Sequence, residues 1–137
     1  MHTSTLTYDG LCAMKLKLDI HGHEEEINAI IDTGFTAGTG FGLTIPTIFS
    51  QHAEYIGVGE VTIANGETIE IEYIPDAKIL SIEDITLKDE VTLPAILLDG
   101  PKCIGVLFLQ KYILNFDGPR ETATIEFENE IDVEVSE

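Results

Sequence analysis

Ala29-Ile30-Ile31-Asp32-Thr33-Gly34-Phe35-Thr36 is the stretch whose reading decides the fold: an apolar, strand-like run that ends on a carboxylate, a hydroxyl and a glycine. Asp-x-Gly is ordinary turn chemistry, so the three residues alone carry little, and their weight comes from the run that delivers them. Working outward, residues Glu24 to Ile31 read as one strand that becomes more apolar as it nears Asp32. That gradient is expected of a strand entering the centre of a sheet sandwich from its surface. Before it, Met14, Leu16, Leu18 and Ile20 alternate with Lys15, Lys17 and Asp19, the period of two of a half-buried strand. His21-Gly22-His23 reads as the turn between the two.

About 70 residues beyond Asp32 comes Lys102-Cys103-Ile104-Gly105-Val106-Leu107-Phe108-Leu109, followed by Tyr112-Ile113-Leu114-Asn115-Phe116-Asp117 and Ala123-Thr124-Ile125-Glu126. Together with Asp32-Thr33-Gly34, this order resembles the single-domain, retropepsin-like aspartic proteases, in which an apolar-Gly element precedes a short helix and a closing hairpin. The resemblance runs from roughly 11 to 127, and Asp-Thr-Gly-Phe-Thr is similar to a prokaryotic branch of that family. It implies an all-β, closed barrel-like aspartic protease fold with one short helix near the C-terminus. Two positions depart from the family pattern. Phe35 stands where retroviral relatives have a small residue, and Leu107 where many relatives carry Asp or Asn.

A chain of 137 residues has room for one well-packed core, so 1–137 reads as a single domain with a core at about 11–127 and an acidic segment at 128–137. Only Asp32 lies in an Asp-[Ser/Thr]-Gly tripeptide, whereas Asp9-Gly10, Asp99-Gly100 and Asp117-Gly118 are turn dipeptides. On the family reading the second aspartate therefore comes from another copy of the chain, and a homodimer is expected. With 7 basic against 25 acidic residues the net charge is −18, which repels phosphate backbones and anionic lipid headgroups. Neither nucleic acid nor a membrane is expected as a partner. The acidity itself reads as a solubility feature or an adaptation to a saline cytoplasm.

Met1 to Gly10 are polar and show no secretory pattern, and no apolar run approaches the roughly 20 residues of a membrane span. A soluble, cytoplasmic protein is expected. Cys12 and Cys103 form no metal pattern; they read as buried thiols in a reducing compartment, or as a disulfide if they meet in space.

Between Phe35 and Thr44, Gly38, Gly40 and Gly42 read as a mobile loop, because the helix and lysine of a phosphate site are missing. Ile45-Pro46-Thr47 opens a short helical turn through Gln51. Glu60 to Ala64 and Glu67 to Tyr73 read as strands joined by Asn65-Gly66 in a type I′ turn. By its place relative to Asp32, this hairpin matches the family's flap. Lys78 to Ile82, Ile85 to Leu87 and Val91 to Leu98 add further strands, and Gly105 to Tyr112 reads as the helix, facing a core with Val106, Leu109 and Ile113. The segment Glu126 to Glu137 alternates apolar and acidic residues and reads equally as a dimer-forming strand or a solvated tail.

The resemblance implies hydrolysis of peptide bonds by water held between two carboxylates, Asp32 of each protomer. Like charges about 3 Å apart cannot both ionise, so one acts as acid and the other as base. Thr33 is expected to bond across the two-fold axis. Gly34 turns the backbone and leaves its amide near the carboxylate, while Ile104 and Gly105 pack behind. Phe35, Thr36, Asn65 and Gly66 are the residues expected against a peptide or protein substrate. No cofactor and no metal is expected.

Two other readings compete. One is a non-catalytic dimeric module that binds peptides or a partner protein on the same fold. The other is a metal site from His21, His23 and Glu24 to Glu26, against which stands the lack of any further His or Cys cluster. An exposed polar turn is the simpler reading of those residues. No G-x-S-x-G motif supports a serine nucleophile.

Overall fold

The computed structural model describes residues 2–9, 11–35, 37–62 and 65–127. Ten strands run in the order β1 (His2–Asp9), β2 (Leu11–Ile20), β3 (His23–Ile31), β4 (Leu43–Ile45), β5 (Gly57–Thr62), β6 (Thr68–Ile82), β7 (Ile85–Leu97), β8 (Cys103–Ile104), β9 (Ile113–Asp117) and β10 (Thr122–Phe127). Among the described residues, helical structure is confined to 3-10 turns at Ala37–Thr39 and Thr47–Gln51 and to the one-turn helix α1 (Val106–Leu109). The all-β expectation holds. Among the described residues no helix is long and apolar enough to cross a membrane.

The strands hydrogen-bond in the order β5-β6-β7-β4-β8-β3-β2-β1-β10-β9, and a further β2–β6 pairing joins two strands from opposite parts of that order. Strands β2, β3, β8, β4, β7 and β6 thus form a ring of bonded neighbours. Most pairings are antiparallel, but β3–β8 and β4–β7 are parallel. Inside lie Met14, Leu16, Leu18 and Ile20, all fully buried, as their alternation requires, with Ala29, Leu43, Ile45, Ile74, Ile79, Ile82, Ile104 and Phe108. Removing each of the Met, Leu, Ile and Phe side chains among these from water contributes roughly 1.5–3 kcal/mol.

Two hairpins turn through two residues with positive φ: His21 (49°) with Gly22 (95°), and Glu83 (49°) with Asp84 (70°). Such primed turns match the strand twist. Asn65-Gly66 is not one of them. Only Gly66 has positive φ (86°), the strand register closes at Thr62↔Thr68, and the Asn65 Oδ1 accepts the Glu67 N–H at 2.8 Å. The side chain of Asn65 thereby makes an Asx turn. Residues 63 and 64 of the expected strand lie outside the described residues.

Other expectations are corrected by long-range pairing. Lys78 to Ile82 is the end of the much longer β6, whose register shifts between Ile74 and Ala77, around Pro75, where a donor is lost. Ile85 to Leu87 and Val91 to Leu97 are parts of one strand, β7, and Leu98 lies just beyond its end. The helix is shorter than expected: Phe108 and Leu109 are buried, while Ile113 belongs to β9 and is exposed. The polar N-terminal residues form β1, held between β10 and β2. Of the glycine-rich stretch, the first part makes the Ala37–Thr39 turn, but Gly42 donates to Pro94 O at 2.9 Å and Leu43 is fully buried. Its end is core rather than mobile loop. Of the expected segment 126–137, Glu126 and Phe127 are part of β10, and 128–137 lie outside the described residues.

Candidate active-site cleft

Asp32 follows directly on β3, whose last residues pair in parallel with β8, Ile30↔Cys103 and Ile31↔Ile104. The pairing continues one step further, since the Asp32 N–H donates to Ile104 O at 3.0 Å. The chain then turns: Phe35 N–H returns to Asp32 O at 3.1 Å, and Gly34 N–H donates to the Asp32 carboxylate at 2.9 Å. A Cβ on residue 34 would stand 3.2 Å from that carboxylate oxygen, which explains the glycine.

Behind the turn, the Val106 N–H donates to Phe35 O and the Gly105 N–H to Gly42 O, both at 2.9 Å. The Asp32 turn, the glycine-rich stretch and the start of α1 are therefore tied by backbone bonds. Ile104 and Gly105 are buried, in the supporting position expected of them. Leu107 is partly buried and packs its side chain against the core.

Asp32 opens onto a cleft of about 360 Å³ lined also by Gly34, Phe35, Thr39, Thr44, Val61, Thr62, Ile96, Leu98, Pro101 and Cys103. The carboxylate is exposed, and it is the sole charged group among these described lining residues. One wall is the β5–β6 hairpin, beneath which Phe41, Ile71 and Ile96 form a small apolar cluster with Phe35, Val61 and Tyr73. The structure thus brings Asp32, Gly34 and Phe35 together with Ile104 and Gly105 behind them. Thr33 is exposed beside them. Asn65 and Gly66 lie in the hairpin loop, and Val61 and Thr62 of the hairpin, rather than they, line the cleft. Thr36 lies outside the described residues.

The sequence reading missed Thr44, Ile96, Leu98 and Cys103. Thr44 is buried, yet its hydroxyl accepts the Cys103 N–H at 2.8 Å and donates to Pro101 O at 3.4 Å, fastening β4 to the segment entering β8. A lone threonine between Leu43 and Ile45 was the only signal. Burial pushes the Cys103 thiol pKa up, and the nearby Asp32 carboxylate adds to the rise. Cys12 and Cys103 are both free thiols, so the disulfide alternative is not realised.

The histidines expected in a polar turn have other work. His21 bonds Asp76 and the Glu54 backbone, and His23 stacks on His52. Among the described residues no group of three or more His, Cys, Asp or Glu is arranged to hold a metal ion. No protein-family model, no curated protein and no solved structure matches this chain.

Proposed function

We propose that the chain is an aspartic endopeptidase that acts as a homodimer, with Asp32 of each protomer forming the catalytic pair at a two-fold axis. The observation that carries the reading is the placement of Asp32: an exposed carboxylate at the end of a central strand, oriented by the Gly34 amide, in a cleft with apolar walls and no second carboxylate among the described lining residues. Hydrolysis by this route needs two carboxylates about 3 Å apart sharing one proton. A second copy supplies the other.

The ionised member of the pair takes a proton from the bound water as its oxygen attacks the peptide carbonyl. The protonated member gives its proton to the departing nitrogen as the C–N bond breaks. The Gly34 N–H fixes the orientation of the carboxylate it bonds. Phe35, Val61 and Ile96 would take apolar substrate side chains, and exclusion of water there strengthens the polar contacts. The ring of paired strands, with α1 packed behind the Asp32 turn, supports a closed barrel-like aspartic protease architecture. Free thiols at Cys12 and Cys103 suit a cytoplasmic setting.

The test is cleavage of a mixed peptide library between pH 3 and 7 in high salt, comparing wild type with Asp32→Asn. Cleavage by the wild type alone is the expected result. No cleavage by either protein, with a dimer present in the same samples, would replace this reading with a dimeric module that binds peptides without cutting them.

A further inference from the structure

Residues 52–56 form a strap between the Thr47–Gln51 turn and β5, the first strand of the hairpin that walls the Asp32 cleft. Little apolar burial holds it: Ala53 packs against the core, but Tyr55 is 49% and Ile56 36% exposed. Polar contacts hold it instead. The Glu54 N–H donates to His21 Nδ1 at 2.8 Å, His21 Nε2 bonds Asp76 Oδ1 at 2.8 Å, and the Tyr55 hydroxyl donates to the other Asp76 oxygen. The Tyr55 ring leans on His21 with centroids 4.4 Å apart. The His52 ring stacks on His23 at 3.6 Å, nearly parallel. A nitrogen that accepts an N–H carries no proton, so these contacts require a neutral His21 with its proton on Nε2.

We propose that neutral His21 is a positioning residue for the hairpin over the Asp32 cleft, fastening the strap at neutral pH and releasing it when acid protonates Nδ1. That the hairpin covers a catalytic cleft rests on the function proposed above; the latch itself does not. Protonation would set an N–H of the ring against the N–H of Glu54, two donors face to face, while strengthening the bond to Asp76. The groups against His21 are the Asp76 carboxylate from β6 and, from the strap, the Glu54 N–H and the Tyr55 ring, whose hydroxyl bonds Asp76; Asp19 accepts the Gly22 N–H in the same turn. The neighbouring His23–His52 stack has Glu25 at 3.3 Å and the Phe49 ring beside it. Two imidazolium rings in that stack would repel, so the second contact loosens the strap in the same direction. Imidazoles ordinarily titrate between about pH 5 and 8. Burial pushes the Asp76 carboxyl pKa up, but hydrogen bonds from Tyr55 and His21 outweigh it and hold the group below the usual range, so Asp76 stays charged throughout.

The test uses the full ¹⁵N-labelled chain and measures amide exchange protection at Glu54 and along β5 between about pH 7.5 and 5, corrected for intrinsic exchange. Wild-type Glu54 should lose about fivefold or more of its protection, the scale of one net hydrogen bond. His21→Asn should show a flat profile, because asparagine tolerates the positive φ, offers an acceptor to Glu54 and does not titrate. Ring ¹⁵N shifts of wild-type His21 give a readout that needs no variant: Nδ1 should be unprotonated at neutral pH and gain its proton as Glu54 protection falls. A flat wild-type profile, an Nδ1 already protonated at pH 7.5, or an equal fall in His21→Asn would overturn the proposal. Neither readout uses cleavage. An inactive protein leaves the test intact, and an active one with a flat Glu54 profile overturns the latch alone.

Discussion

The carbonyl oxygen of Phe35 stands 2.5 Å from the point a Cβ on residue 105 would occupy, so the Asp32 turn and the entry to α1 meet backbone to backbone only because Gly105 has no side chain. Phe35 O cannot retreat freely, since it accepts the Val106 N–H at 2.9 Å, and Asp32 itself is bonded to Ile104. Gly105→Ala should therefore cost about 1–3 kcal/mol, seen as a lower thermal midpoint, and on the proposed function it should reduce peptide cleavage by moving Asp32. Gly118→Ala is the control, because nothing lies within 4 Å of a Cβ there. Equal midpoints for the two variants would contradict the packing described.

Gly57 faces Tyr73 across the β5–β6 pair, and a Cβ on residue 57 would overlap the tyrosine ring. That ring also meets Phe41 edge-on at 5.1 Å, in the cluster beneath the hairpin. Gly57→Ala should destabilise the protein by about 1–3 kcal/mol. Tyr73→Leu in the same chain should recover part of the loss. A double-mutant cycle from urea unfolding should give a coupling of about 1 kcal/mol, and strict additivity would show that the ring yields without cost.

Pro46, which precedes the Thr47–Gln51 turn, offers no side-chain acceptor, and Asp99 does so from across the chain. It accepts the Thr47 N–H at 3.1 Å and the Thr47 hydroxyl at 2.8 Å. The backbone N–H first, and then the hydroxyl, hold the Asp99 carboxyl pKa below its ordinary value. A folded-state pKa below the unfolded one contributes stability above the unfolded value, about pH 4. That contribution is lost as pH falls through the lower folded value. The urea midpoint of Asp99→Asn should thus lie modestly below wild type at pH 7, and the gap should close toward pH 2. A gap independent of pH would show that the charge on Asp99 is not what matters.

The homodimer proposed above would bring together two chains of net charge −18, giving −36. Repulsion between exposed charges reaches about 30 Å at 0.01 M salt and about 3 Å at 1 M. Sedimentation should show the dimer fraction rising with ionic strength at fixed protein concentration. A fraction unchanged over that range would contradict the prediction.

Much of the fold was legible because burial on one face imposes a strict period. Met14 to Ile20 shows it, with every second side chain removed from water. The Asp32 turn was legible for a related reason: an apolar run needs a reason to stop, and Asp-x-Gly supplies the turn chemistry. What resisted reading lies where long-range pairing overrides local preference. The polar residues of β1 are strand because β10 and β2 bond them. Glu83 and Asp84 take positive φ without a glycine because β6 and β7 pair up to Ile82↔Ile85 and leave two residues to close the hairpin. Conversely, Asn65-Gly66 carries the strongest local turn signal yet does not form the two-residue turn, since the register there ends at Thr62↔Thr68.

The sequence by itself determined an all-β chain, one carboxylate set at the end of a strand that grows more apolar toward it, and a glycine-bearing element suited to pack behind it. These are local properties, legible in alternation and turn residues. The tertiary structure alone decided what surrounds Asp32. Thr44, Val61, Ile96 and Cys103 come from four separate strands, and β4–β7, β3–β8 and the β5–β6 hairpin bring them to one cleft. It also turned His21 from a turn residue into the acceptor for Glu54, thirty-three positions away. Hydrogen-bond partners so far apart in the chain leave no period in the sequence, because their encounter is set by strand register rather than by any neighbour.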